Sequence, residues 1–405
     1  MHMKNNEAAL NARPASCSFS PATVLIIIAS LVVGCSDSGD PATSVSDFYT
    51  PPDPLPSTSP GALIRAEEVD PIAANSTTFR VLYVSESIAG EPIAVSGLVV
   101  VPDSPAPEGG FNTVSWAHGT KGVGDKCAPS RGFSGPTHDF FAIAPELVAQ
   151  NYLAVSSDYE GLGTPGPHPY LVGESQARGS LDIVRAASQI DEVGSVGKVA
   201  VWGRSQGGQT ALFASEIAAS WAPELDIAGV IAAGPACCLD QQATLGPAFE
   251  SSRGLVWMAI VAAASTYGLD LESVFTPEAV EVIDQLLEDE VCYEEWVEAA
   301  RPFDNAGIVI NFAQTPPWGE ILEQNSPGGT ATELPVLVLQ GAEDTTTPQF
   351  LANILNDQLC EIGTPVDYRV FEGFSHNDST AMNMPLMLSW TADRFAGLST
   401  ESTCE

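Results

Sequence analysis

The stretch Val199-Ala200-Val201-Trp202-Gly203-Arg204-Ser205-Gln206-Gly207-Gly208 runs from an apolar, β-branched segment through a Gly-x-Ser-x-Gly into a helix-forming segment at 209–219. A serine hydroxyl held on a sharp strand-to-helix turn is a nucleophile suited to acyl transfer, and such a turn presses neighbouring backbone together two positions to either side of it. Gly203 and Gly207 supply the room at those positions. The helix that follows would aim its unpaired N–H groups and the positive end of its dipole at the place where an oxyanion forms.

A serine nucleophile needs a base, and beyond the first 34 residues the chain has His118, His138, His168 and His376. On strand-turn-helix sites of this kind the partners follow in the order Ser, acid, His. Leu337-Val338-Leu339-Gln340-Gly341-Ala342-Glu343-Asp344 places Asp344 just past a strand, and Phe371-Glu372-Gly373-Phe374-Ser375-His376 places His376 just past the next. His376 is therefore assigned as general base and Asp344 as its orienting carboxylate, with Glu343 the less well placed acid and Glu372 and Asp378 read as surface charges. The oxyanion needs two donors. One is the backbone N–H of Gln206; the other is sought in the loop Ala117-His118-Gly119-Thr120-Lys121-Gly122, at the N–H of Thr120 with help from its hydroxyl. His118 and Gly119 then shape that loop from behind, and Asp158 and Tyr159, at the end of a strand near the expected mouth, could shape the pocket.

The elements that must position these residues are legible as an alternation. Apolar runs at 78–83 and 93–101 suggest an opening antiparallel pair; those at 113–117, 153–157, 198–202, 227–232, 334–340 and 368–372 read as further strands. The later runs are apolar on both faces, as strands covered on both sides must be. Helical stretches at 140–151, 175–191, 206–220, 348–360 and 379–396 fall between them, which makes an α/β fold with a mostly parallel, doubly covered sheet. The rhythm breaks between 236 and 333. An apolar helical segment at 255–269 and an acidic one at 277–300 read as a helical cap inserted into the core, its apolar face toward a pocket and its charges toward solvent. The organisation expected is a signal segment at 1–34, a Ser/Pro-rich tether at 35–60, core at 61–236, cap at 237–333 and core again at 334–405.

Taken together, Trp116-Ala117-His118-Gly119-Thr120-Lys121-Gly122 with Cys127-Ala128-Pro129-Ser130, Ser157-Asp158-Tyr159-Glu160-Gly161-Leu162-Gly163, His168-Pro169-Tyr170-Leu171-Val172-Gly173, Ser180-Leu181-Asp182-Ile183-Val184-Arg185-Ala186-Ala187 and Gly203-Arg204-Ser205-Gln206-Gly207-Gly208 resemble the secretory lipase family of α/β-hydrolases over about residues 61–400. The resemblance implies an α/β-hydrolase with a helical cap, a Ser205, Asp344, His376 triad and carboxylic ester hydrolysis on a small-molecule or lipid ester. The competing readings are a serine peptidase or amidase using the same triad, and a non-catalytic binding module on a hydrolase fold.

The 405 residues are 44% hydrophobic, too apolar for a disordered chain, and carry 15 Lys and Arg against 51 Asp and Glu, a net charge of −36. That charge repels phosphate backbones, so nucleic acid is excluded as a main partner. Lys4 and Arg13 precede an apolar run at 24–33, too short to span a bilayer, which reads as a signal peptide. Val32-Val33-Gly34-Cys35 resembles the bacterial lipobox, which implies that Cys35 becomes a lipidated first residue and, with Ser36 behind it, that the protein is anchored to the outer membrane; a simple cleaved signal and secretion is the alternative. Export fits the remaining cysteines, Cys127, Cys237, Cys238, Cys292, Cys360 and Cys404, which suggest up to three disulfides of unspecified pairing. No metal-ligand spacing occurs, and neither metal nor cofactor is expected.

Overall fold

The β-branched runs assemble into one nine-stranded sheet. The computed structural model describes residues 45–132 and 139–404, so Cys35, the signal segment and His138 lie outside the described residues. The strands are β1 (Leu63–Val69), β2 (Ser76–Glu86), β3 (Pro92–Pro102), β4 (Phe111–Ala117), β5 (Leu153–Ser157), β6 (Val196–Arg204), β7 (Ile227–Ala233), β8 (Val336–Gly341) and β9 (Val366–Phe371), in the order β1-β2-β3-β5-β4-β6-β7-β8-β9. Pairing from β1 to β5 through β3 is antiparallel, and from β5 to β9 it is parallel throughout.

The helices are α1 (Val45–Phe48), α2 (Asp139–Ala149), α3 (Gly173–Ala187), α4 (Gln206–Trp221), α5 (Leu239–Leu245), α6 (Glu250–Tyr267), α7 (Pro277–Glu288), α8 (Tyr293–Ala300), α9 (Trp318–Gln324), α10 (Gln349–Glu361), α11 (Asp378–Ala381) and α12 (Met384–Phe395). The period of two along β6 shows how the sheet is covered. Val199 and Val201 enter one core with Leu181, Val184, Leu212 and Leu355 from α3, α4 and α10, while Ala200 and Trp202 enter the other with Leu147, Met387 and Trp390 from α2 and α12. Between β7 and β8 the chain leaves the sheet for α5 to α9, which close over a core of their own around Trp257, Phe275, Ile283, Trp296 and Trp318. The nine acidic side chains anticipated along 277–300 are all exposed.

Two expectations are corrected and one strand is added. The added strand is β1, whose apolar pattern Arg65, Glu67 and Glu68 interrupt; it is an edge strand with only one neighbour, so three of its seven residues stay charged. The single C-terminal helix is two, broken at Met382 and Asn383, with Pro385 in the first turn of α12 where its missing N–H costs no helical bond. The tether is not loose to residue 60. Phe48 and Tyr49 are buried, with Arg80 4.4 Å above the Phe48 ring, Arg131 3.9 Å above the Tyr49 ring, and Tyr49 hydroxyl 2.8 Å from Ser130 Oγ. Two aromatics in a Pro- and Ser-rich segment suffice to dock it when two guanidinium groups stack on them. Of the up to three disulfides expected, two form among the described residues, Cys127–Cys292 and Cys360–Cys404, leaving Cys237 and Cys238 as thiols. Adjacent residues hold their Cα atoms about 3.8 Å apart, closer than ordinary disulfide geometry accepts.

The chain that returns from α9 to β8 is gripped by Glu216 of α4, whose Oε1 accepts from the Gly328 N–H at 2.7 Å. Burial pushes the Glu216 carboxyl up from 4.5 to about 7, against hydrogen bonds that favour its ionised form. An acid raised in the folded state binds its proton more tightly there than when unfolded, so folding loses stability as pH rises from near 4.5 through 7. Glu216→Gln keeps the acceptor and lacks the charge. Relative to the parent it should gain up to about 3 kcal/mol between pH 4.5 and 8, read as diverging urea midpoints at the two pH values.

Candidate active site

The turn between β6 and α4 sets Ser205 at φ 59° and ψ −119°, a conformation a non-glycine residue takes only under constraint. The constraint is visible. The Ser205 N–H donates to Ala233 O on β7 at 2.9 Å, and Ser205 O accepts from Gln209 and Ala236 at 3.2 and 3.1 Å. A Cβ on Gly203 would overlap the carbonyl of Gly207, and one on Gly207 would overlap the carbonyl of Ala117, so neither position accepts any other residue. Helix α4 begins at Gln206, which leaves that N–H without an intrahelical acceptor. The Gln206 side chain is fixed as well, 3.2 Å from His168 Nε2 and 3.0 Å from the Gln176 amide.

His376 and Asp344 arrive from loops after β9 and β8, and His376 Nδ1 meets Asp344 Oδ2 at 2.7 Å. Asp344 is buried and saturated: Oδ1 accepts from the N–H groups of Thr346 and Thr347, both at 2.8 Å, and Oδ2 accepts from Thr347 Oγ1 at 2.9 Å. Burial works against its ionisation, but the hydrogen bonds from His376 and Thr347 outweigh that and hold the carboxyl below its ordinary value. Glu343 is exposed, so the acid beside His376 is Asp344. A Cβ on Gly234, at the end of β7, would stand 3.2 Å from Asp344 Oδ2 and 3.3 Å from His376 Nδ1, which shows how closely the sheet edge supports the pair. Among the described residues no hydrogen bond joins Ser205 Oγ to His376; in substrate-free sites that bond is often long and tightens with substrate bound.

The loop after β4 passes over the nucleophile, with the Cβ position of Gly119 3.7 Å from Ser205 Cβ. Thr120 Oγ1 is 2.8 Å from the Tyr170 hydroxyl. His118 is spent on the loop: Nδ1 lies 2.8 Å from Gly119 O, Nε2 3.3 Å from Asp158 O, and its ring packs 4.2 Å from that of Tyr159. Burial, and after it the charge of Lys121, draws His118 down to about 3, so it is neutral at any working pH.

Asp158 and Tyr159 do not line the cavity at Ser205. Asp158 points away, accepting from Ser96 Oγ at 2.6 Å, from Ser130 N–H at 2.9 Å and from the Ser130 hydroxyl, while Tyr159 donates to His118 O at 3.0 Å. They brace the loop from behind, because their polar atoms are taken up by Ser96, Ser130 and the His118 carbonyl. Asp378, read as a surface charge, instead accepts from the Ser375 N–H at 2.9 Å and Oγ at 2.6 Å and so shapes the turn that presents His376.

Residues without a sequence signal complete the site. Arg204, the variable residue before the serine, is buried; its Nε reaches Asp139 Oδ2 and its Nη1 reaches Asn377 Oδ1, both at 3.2 Å. It joins the nucleophile turn to α2 and to the loop next to His376. Burial draws the neighbouring Lys121 ammonium down to about 8, with Asp139 working against that shift and Arg204 adding to it. As a positioning residue, Arg204 should affect turnover more than binding. Arg204→Lys, which keeps the charge but not the fork, is expected to lower kcat about tenfold or more with KM nearly unchanged, measured on one soluble ester.

The cavity at Ser205 measures about 300 Å³. Its walls are Leu255, Val256, Ala259, Ile260 and Ala263 on one face of α6, with Phe312, Trp318 and Ile321 beyond and Tyr170, Leu171 and Leu351 from the core side. The apolar face expected of the insertion thus does look onto the serine. The insertion is tied down beside the loop after β4 by Cys127–Cys292, by Tyr293 N–H donating to Lys121 O at 2.9 Å and by Lys126 Nζ donating to Asp289 O at 2.8 Å.

A family model described as secretory lipase matches residues 136–403. The chain belongs to the secretory lipase family. Among relatives of the family, it is 24% identical over 383 residues to a Mycobacterium tuberculosis protein named probable inactive lipase MT1628, covering 86% of this chain and 82% of that one. It is 22% identical over 391 residues to Lipase A of Arthroderma benhamiae, covering 89% and 81%. The crystal structure of Candida antarctica lipase A in its closed state superposes with a TM-score of 0.78 at 21% identity, over 88% of this chain and 87% of that one. The fold of this secretory lipase family member is therefore that of the α/β-hydrolases.

Proposed function

We propose that the chain is a carboxylic ester hydrolase that works through an acyl-enzyme on Ser205 and prefers medium-length fatty-acyl esters. The observation that carries this reading is the His376–Asp344 pair beside a strained Ser205 at one end of an apolar cavity. Ser205 Oγ attacks the ester carbonyl as His376 Nε2 takes its proton; the charge that develops on the carbonyl oxygen falls to the N–H groups of Gln206 and Thr120 and the start of α4. His376 passes the proton to the departing alkoxide, and a water, deprotonated in the same way, cleaves the acyl-enzyme and restores the hydroxyl.

The cavity sets the acyl chain. At roughly 30 Å³ per methylene, about that of a water, 300 Å³ holds about ten carbons. Leu245, Phe249 and Phe350 line the same cavity and yet stand 39%, 56% and 45% exposed, an apolar rim suited to a greasy substrate. The insertion acts as the cap of the site; export fits both the family and the two disulfides, and the lipobox-like Val32-Val33-Gly34-Cys35 supports a lipid anchor on Cys35.

The name of the mycobacterial relative favours one rival, a hydrolase fold without catalysis. An active-site-directed fluorophosphonate separates the two. The proposed enzyme takes one label per chain, mapped to the peptide holding Ser205 and blocked by prior incubation with a decanoyl ester; an unlabelled, folded protein would make it a binding module.

A further inference from the structure

Cys237 and Cys238 remain thiols in a chain whose other described cysteines are all paired. They occupy the turn that leaves β7 for α5, and both are buried in the same core. Cys237 is fully buried there, and Cys238 is 5% exposed. Cys238 lines a second cavity of about 540 Å³, walled by Asp240, Gln241, Glu320, Glu323 and Gln358 and separate from the cavity at Ser205. Its backbone lies at φ 49° and ψ 52°, the left-handed region, and its thiol donates weakly to Leu351 O at 3.7 Å. A hydrogen bond from Cys237 holds the Cys238 thiol below its ordinary pKa, and the same contact, with burial, pushes Cys237 up. Cys238 is thus the better nucleophile and, at the wall of the cavity, the one a solute meets first, whereas Cys237 has no such access. That is the arrangement of an attacking thiol and its resolving partner.

We propose that Cys237–Cys238 is a redox-modification site that takes small neutral or cationic disulfides: Cys238 is attacked first and Cys237 closes the pair into a disulfide between adjacent residues. In the first step Cys238 thiolate displaces one half of the incoming disulfide as a thiolate and forms a mixed disulfide. In the second, Cys237 gives up its proton to solvent, attacks Cys238 Sγ and releases the other half, so that two protein thiols are oxidised and one small disulfide is reduced to two thiols. The three acidic side chains around the cavity, Asp240, Glu320 and Glu323, select the reagent, because they repel an anionic disulfide such as oxidised glutathione and attract a cationic one such as cystamine.

Closure must bend the peptide between the two residues, since adjacent Cα atoms at about 3.8 Å are nearer than a disulfide prefers. The bend falls where the reaction site is attached. Ala236 donates to Ser205 O at 3.1 Å, Gly234 lies so near the reacting pair that a Cβ there would stand 3.2 Å from Asp344 and 3.3 Å from His376, and Leu239 lines the acyl cavity. Oxidation therefore slows ester turnover, a consequence that rests on the function proposed above, whereas the thiol chemistry does not.

The test treats full-length folded protein with cystamine and, in parallel, with oxidised glutathione, and follows intact mass, peptide maps and turnover of a decanoyl ester. The expected result is loss of two hydrogens mapped to Cys237 and Cys238, faster with cystamine, with turnover falling about fivefold or more and returning on mild reduction. Cys237→Ser should stop at a stable cystamine adduct on Cys238, and Cys238→Ser should not react. Thiols that react only in denaturant, or an adduct on Cys238 that never closes in the parent chain, would overturn the site. Closure with unchanged turnover would overturn its coupling to the reaction, and a reduced protein without ester turnover would count against the function while the mass data still decide the site.

Discussion

Ser205→Ala is expected to lower ester kcat by roughly four to six orders of magnitude with no loss of fold, since a serine and its base act as one unit and the residual rate comes from the oxyanion donors and binding alone. His376→Ala should cost about as much, and the double variant no more than either. Asp344→Asn is expected to cost about 10⁴ by removing the acceptor that fixes the His376 tautomer. Glu343→Gln is the internal control. It sits one residue away, exposed, and should change little. A loss shared by Glu343→Gln and Asp344→Asn would sink the assignment of the acid; rates of all variants within tenfold of the parent would sink the serine mechanism. Circular dichroism melts taken alongside separate a chemical defect from an unfolded chain.

The acyl-chain series should show the second large effect. Each methylene buried in the cavity is worth about 0.8 kcal/mol, so kcat/KM should climb about fourfold per carbon from acetyl esters upward and level off near ten carbons, where the volume is filled. Placing a ring in the wall tests whether this cavity is the acyl site. Ala263→Phe should leave short esters within a few-fold of the parent and depress decanoyl turnover about a hundredfold, moving the optimum to shorter chains. A variant that scales all chain lengths equally would place the acyl group elsewhere.

Much of this was legible in the order of residues. The Ser205 turn, Asp344 past β8 and His376 past β9 carry their own signals, because a nucleophile turn demands glycines two positions away and because parallel strands buried on both faces are continuous apolar runs whose C-terminal ends can be counted. What failed to show was whatever depends on partners far along the chain. Arg204 carries no sign of its partners in the local sequence; only packing brings it to Asp139 and Asn377, 65 and 173 positions away. Asp158 and Tyr159 follow a strand near the expected mouth, and partners distant in the chain, Ser130 and the His118 carbonyl, hold them away from the pocket.

The cysteines and the early segment teach the same lesson. Six cysteines allowed up to three bridges of unspecified pairing, and which of them pair is decided by where Cys127 meets Cys292 and Cys360 meets Cys404 in space. A Pro- and Ser-rich composition argued for a tether, and the stacking of Arg80 and Arg131 on Phe48 and Tyr49 docked its end. Local sequence determined the alternation of strands and helices, the nucleophile turn and the order of the reacting residues, since these follow from periodicity, backbone space and chain direction within a few residues. Tertiary structure alone decided the acyl cavity, the carboxylate's hydrogen-bond cage and the pairing of thiols, since each is a distance between residues that the chain separates and only the closed sheet and its insertion bring together.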